Sequence, residues 1–248
     1  MREWIYGLNP VYEVLRAGRR HTFRLLIAQG TQGKDRLSDI QNFCKKNHVP
    51  VEYHPRAKLD SIQSHHQGVL LEVSGYPYRT LHDMFDLADQ QDQPPLFLIL
   101  DTLQDPQNLG TLLRTAEAVG VQGVLLPLRH TATVTPAVVS ASSGACEHLL
   151  ITQTNLAQGI NTLKEHGIWV IGLDSGSDSQ LLQETDLGVP LALVVGSEGE
   201  GMRKLVRKSC DMVVRLPMSG RIESLNAAVA GSIALYLAWG VRGYPSRK

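Results

Sequence analysis

The chain has 248 residues, 43% of them hydrophobic, with Lys+Arg and Asp+Glu equal at 24 each. That length suits a small module joined to a larger α/β one, and the composition is that of an ordinary globular protein rather than a disordered or fibrous one. No run approaches the roughly 20 apolar residues of a membrane helix, and the opening MREWIYGLNP lacks the apolar core of a signal peptide.

Asn9-Pro10 reads as an N-cap followed by proline at the first helical position. It opens a helix through Val14, Leu15 and Ala17 to a stop at Gly18. Residues 24–28 read as a strand, 34–48 as a helix with Leu37, Ile40 and Phe43 at helical spacing, and 51–53 as a second strand. Residues 56–62 are helical and 69–73 a strand, which closes an α/β unit over residues 1–75. The next segment, 76–95, carries Pro77, an Asp/Gln run and Pro94-Pro95. It reads as a linker with a helical turn around residues 81–87. From Phe97 on, LFLILD, VQGVLLP, IWVIGLD and LALVVG are near-continuous apolar runs, as parallel strands covered on both faces require. Helical segments at 109–119, 135–142, 156–166, 202–209 and 225–239 alternate with them. Residues 96–248 are therefore an open α/β sheet, which binds its ligand at the carboxyl ends of its strands.

Charge and cysteines refine this picture. Residues 1–80 hold 12 Lys+Arg against 7 Asp+Glu, and the remainder 12 against 17. A basic front end on a mildly acidic body suits a polyanion, although a merely solvated face gives the same count. Cys44, Cys146 and Cys210 stand far apart with no Cys-x-x-Cys spacing, as expected of reduced thiols in a cytoplasmic protein. No His/Cys cluster has metal-ligand spacing.

Three segments break the alternation, each just after a strand. The first holds Asp105-Pro106, which turns the chain into a helix, with Asn108 in its first turn. Arg114 follows six residues later, read as lying on roughly the same side, amid apolar neighbours. The second is Gly196-Ser-Glu198-Gly199-Glu200-Gly201. Its glycines let backbone approach a ligand, yet the spacing is neither a dinucleotide fingerprint nor a P-loop. The third runs from Leu216-Pro217-Met218 to Ser224-Leu225-Asn226. Ser224 is a plausible N-cap, and Asn226 at the start of an apolar helix needs a specific partner for its amide.

In order and content, these segments resemble the three signature motifs of the SpoU–TrmH family of RNA 2′-O-methyltransferases. The N-terminal Ile-Tyr-Gly-Leu-Asn-Pro-Val-Tyr-Glu-Val-Leu and His66-Gln67-Gly68 resemble its branch that methylates a guanosine of 23S rRNA. The resemblance implies a SPOUT α/β fold with a deep C-terminal trefoil knot, a small N-terminal L30e-like RNA-binding domain, and a homodimer with each active site near the subunit interface. It implies S-adenosylmethionine as cofactor, held by Gly196, Gly199, Leu216, Met218 and Leu225. Asn108, Arg114, Glu198, Ser224 and Asn226 would form the catalytic constellation, with no metal. Glu223 and Ala227-Ala228 depart from the familiar pattern beside the third motif and bear on substrate fit. A transfer RNA or another ribosomal nucleotide as target, and a non-catalytic RNA-binding relative, are the alternative readings.

Overall fold

The chain opens with an edge strand, β1 (Arg2–Tyr6), where the sequence predicts no element. Only Ile5 of its five residues is fully buried, so it carries a weak alternation signal. The computed structural model describes residues 2–31, 35–176, 178–197, 199, 201–222 and 224–245. They divide into two units, one of Met1–Pro77 with Thr133–His148, the other of Tyr78–Ala132 with Leu149–Lys248.

In the first unit β1 pairs with β4 (Val69–Ser74), then β2 (Thr22–Ala28), then β3 (Val51–His54), antiparallel except for β2 with β3. Helix α1 (Leu8–Ala17) buries Val11, Val14 and Leu15, and α2 (Asp35–Lys46) buries Leu37, Ile40 and Cys44. A short α3 (Arg56–Asp60) packs Leu59 with Leu26, Ala28 and Leu70. The start of α1 corrects the sequence reading. Gly7, at φ 90, is the N-cap, and Asn9-Pro10 lies inside the first turn, where a proline costs no hydrogen bond. Gly18 does end the helix, in the left-handed region, with its N–H on the Val14 carbonyl.

His66, open in the sequence between a structural and an RNA-contacting role, has no exposure. Its Nδ1 accepts the Gly68 N–H at 2.8 Å, so the ring proton sits on Nε2, 3.0 Å from Asp60. The residue holds the turn into β4.

The second unit is built on seven parallel strands in the order β7-β6-β5-β10-β8-β11-β9. These are β5 (Leu96–Leu100), β6 (Gly123–Pro127), β7 (Ile151–Thr154), β8 (Trp169–Leu173), β9 (Gln180–Leu181), β10 (Leu191–Val195) and β11 (Met212–Arg215). Every residue of β5, β6 and β10 is buried, as their unbroken apolar runs predict. The predicted linker contains a full helix, α4 (Leu81–Asp89), started by a capping box between Thr80 and Asp83. Next come α5 (Pro106–Ala118) and α6 (Pro136–Ala141), then α7 (Leu156–Glu165), α8 (Lys204–Ser209) and α9 (Ala227–Val241). Phe97, Ile99, Leu125, Ile160, Val170, Val194 and Met202 form the core. The chain runs from β5 to β7 toward one edge and from β8 to β11 on the other side. The strand order therefore reverses beside β10, and a crevice opens at its carboxyl end.

Residues 133–148, read from sequence as part of the C-terminal region, pack in the first unit. There α6 lies against β1, and the turn Ala145–His148 lies against α1. The Arg20 guanidinium, fully buried, forks onto Glu147 at 3.0 and 2.7 Å and reaches Glu3 at 2.8 Å.

Candidate active site

A cleft of about 680 Å³ opens at the carboxyl ends of β8, β10 and β11 and against the start of α9. That is within the range of small-molecule sites. One wall is the glycine loop after β10. Ser197 and Gly201 exchange backbone hydrogen bonds of 3.0 and 3.1 Å, so the loop closes on itself. A Cβ at Gly196 would collide with the Gly201 carbonyl, and only glycine permits this closure. The exit of the loop is fixed by Asp101, fully buried after β5. Its two oxygens take the Arg203 backbone N–H and Nε, both at 2.7 Å.

The second wall is the stretch after β11, where Leu216 and Met218 face the cleft. The third is the entry into α9, with Ser224, Leu225 and Asn226. All five residues expected to hold the cofactor, Gly196, Gly199, Leu216, Met218 and Leu225, thus line one space, together with Ser224 and Asn226.

Asn226, rather than Ser224, is the N-cap of α9. Its Oδ1 accepts the Val229 N–H at 3.1 Å, and its Nδ2 donates to Asn108 Oδ1 at 3.1 Å. The cap falls two residues later than the sequence suggests, because a uniformly apolar helix gives no periodic marker of its first turn. Asn108 is in the first turn of α5, behind the Asp105 cap, as expected. The α5 face that meets α9 carries Asn108, Leu112 and Thr115. Leu112 fills the space over Gly231, and Thr115 bonds Ser232 at 2.9 Å.

Arg114 does not share that face. Six residues advance a helix by about 600°, which leaves the two side chains about 120° apart, and Arg114 is exposed on α5. The shared side read from the sequence is corrected accordingly. Glu198 and Glu223 lie outside the described residues.

Sequence reading missed two carboxylates. Asp101 sets the glycine loop, as described. Asp174, directly after β8, faces the cleft, with Arg207 Nε 3.3 Å from its Oδ2. Both stand at the end of an apolar strand, which is the one signal that marks them. Among the described residues no three His, Cys, Asp or Glu side chains are grouped to hold a metal. The cysteines lie outside the cleft lining, and burial pushes the Cys146 and Cys210 thiols up to about 12 and Cys44 to about 11, which keeps them protonated and unreactive.

The model of the SpoU rRNA Methylase family matches residues 95–236, and that of the RNA 2′-O ribose methyltransferase substrate-binding domain matches residues 4–79. YacO of Bacillus subtilis, named for the TrmH family of tRNA/rRNA methyltransferases, is 41% identical over 236 residues, 94% of each chain. A 23S rRNA (guanosine-2′-O-)-methyltransferase of Pseudomonas putida, RlmB, is 37% identical over 240 residues, 95% of each. The SpoU methyltransferase AviRb of Streptomyces viridochromogenes, crystallised with the cofactor AdoMet, superposes with a TM-score of 0.81 at 22% identity. That match covers 98% of this chain and 92% of AviRb and is a likeness of fold.

Proposed function

Because the chain belongs to the SpoU rRNA methylase family, we propose that it methylates the ribose 2′-hydroxyl of a guanosine in 23S rRNA, with S-adenosylmethionine as methyl donor. The observation that carries this reading is the single cleft in which the glycine loop, Leu216, Met218 and Leu225 adjoin Ser224 and the Asn226–Asn108 pair. The cleft suits the cofactor. A wall of glycine backbone offers hydrogen bonds at close approach, the leucines offer apolar surface to a purine, and the polar groups gather at the α9 end. S-adenosylmethionine, when bound, supplies a methyl already activated on a sulfonium.

The protein's task is to hold the 2′-oxygen in line with that methyl and to stabilise charge as the hydroxyl proton departs. Asn108 and Asn226 form a fixed amide pair for the ribose, with Ser224 beside them. The planar, multi-donor guanidinium of Arg114 suits an RNA phosphate and the developing alkoxide. Glu198 completes the constellation by its place in the second motif.

Residues 1–75 serve as the RNA-binding domain, L30e-like, with 76–95 as the connection and 96–248 as the catalytic region. The exposed stripe of Val229, Ile233, Tyr236 and Leu237 on α9 supports a homodimer through this helix. Arg114, exposed on the adjoining α5, would then stand near a neighbouring chain. The return of the chain from β11 to α9, which packs on β10 and α5, supports a knotted C-terminal region. The protein acts in the cytoplasm, on rRNA.

Labelled S-adenosylmethionine, offered with separated 23S, 16S and transfer RNA, tests the reading. Label in the ribose of a 23S guanosine, reduced at least a hundredfold by Arg114→Ala, is the expected result. Label confined to transfer RNA, which the name of YacO includes, would keep the chemistry and replace the substrate.

A further inference from the structure

We propose that Asp174 binds the vicinal diol of the cofactor's ribose. The inference rests on the cofactor reading above and assigns a part of the cleft that the three motifs leave unassigned. Among the described residues that line the cleft, Asp174 is the one carboxylate. It follows β8 directly, its side chain is 22% exposed, and its backbone N–H is fixed on the Val214 carbonyl at 2.9 Å. A Cβ at Gly201 would lie 3.5 Å from Asp174 Oδ2, so the carboxylate stands beside the glycine loop, and both line the cleft.

Two groups of the cofactor could meet a carboxylate here, the ribose diol and the α-ammonium. The diol fits better. Arg207 Nε lies 3.3 Å from Oδ2 while its Nη2 pairs with Asp178 at 2.6 Å, so the carboxylate's charge is balanced in part, and lone pairs remain to accept hydroxyl protons. An ammonium would gain most from a carboxylate without a cation beside it. A carboxylate at the carboxyl end of a parallel strand is also a recurrent acceptor for ribose hydroxyls in open α/β sheets. The other charged side chain of the lining, Arg215, is turned to the carbonyl and hydroxyl of Ser179.

The test measures binding, by calorimetry on the whole protein. The ligands are S-adenosylhomocysteine, 5′-methylthioadenosine, which keeps the diol but lacks the amino acid, and its 2′-deoxy analogue. The wild type should bind 5′-methylthioadenosine about tenfold or more tightly than the deoxy compound, as a hydrogen bond to a charged group implies. Asp174→Ala should lose that preference and weaken both diol ligands by a similar factor. Asp174→Asn, which keeps the side-chain volume, should lie between, and Arg207→Ala should leave the preference in place. A variant that weakens S-adenosylhomocysteine alone would assign Asp174 to the ammonium and overturn the proposal. So would a preference that survives Asp174→Ala. A wild type that binds none of the three would instead overturn the cofactor reading itself.

Discussion

Asn226 performs two tasks with one amide, and they can be separated. Its oxygen caps α9 through the Val229 N–H, and its nitrogen donates to Asn108. Asn226→Ala removes both, with a loss of about 1 kcal/mol from the cap and a large loss of methyl transfer. Asn226→Asp keeps the capping oxygen and removes the donor. Its melting temperature should match the wild type within a degree or two while turnover stays at least tenfold down. Equal loss in both measurements for the two variants would reduce Asn226 to a cap. At this scale the sequence was informative where a residue was locally unreasonable. An amide at the head of an apolar helix demanded a partner, and the structure supplies Asn108. Asp101 and Asp174 were not legible in the same way, since a polar residue after a buried strand is ordinary until its partners, Arg203 and Arg207, are known. Arg114 falls off the α5 face that meets α9 because six residues stop about 120° short of two full turns.

Elements show a similar division. Long apolar runs such as β5 and β10 were legible because parallel strands are buried on both faces. The weakly alternating β1 and the two-residue β9 were not. The first-unit sheet carries its charges as a ladder on one face, Arg2–Glu72–Arg24–Glu52–His54, with Trp4 under the Arg24 guanidinium at 5.5 Å. Burial works to raise the Glu72 carboxyl, but hydrogen bonds from Arg24 and Arg2 outweigh it and hold the group below the usual carboxylate value. His54 and then Arg24 lower Glu52 likewise, chiefly through the His54 hydrogen bond. Groups lowered by folding stabilise the native state at pH above their unfolded value, and that stabilisation is lost as pH falls through the folded one. Urea midpoints should therefore decline on acidification below about pH 4.5, and the decline should be shallower in Glu72→Gln. An identical acid limb in both proteins would place the acid sensitivity elsewhere.

For the molecule as a whole, composition sets a boundary at residues 76–95, while the substrate-binding family model runs to residue 79 and the methylase model starts at residue 95. Composition gave no hint that residues 133–148 pack with the first unit. The pairing that shows it joins Arg20 to Glu147, 127 positions apart, and both side chains have zero exposure. Burial, which disfavours the Arg20 cation, is outweighed by the Glu147 and Glu3 carboxylates, so the guanidinium's affinity for its proton is raised. Breaking a buried pair by removing one partner costs about 3–5 kcal/mol, because the other charge is left without compensation. A chain cut to begin at residue 78 would therefore carry an orphaned Glu147, with Cys146 beside it uncovered. Such a fragment should be less soluble than the whole protein, although every residue of the cleft lining is still present. In the full chain Arg20→Ala should abolish hydrogen-exchange protection across residues 136–148 while β10 keeps its own. If protection fell equally in β10, loss of Arg20 would be unfolding the whole protein; if it fell nowhere, the pair would contribute nothing to the order of this segment. Selective loss would show that residues 136–148, which the methylase family model spans, are ordered through Arg20, and that removing the residues before 78 disturbs more than their own fold.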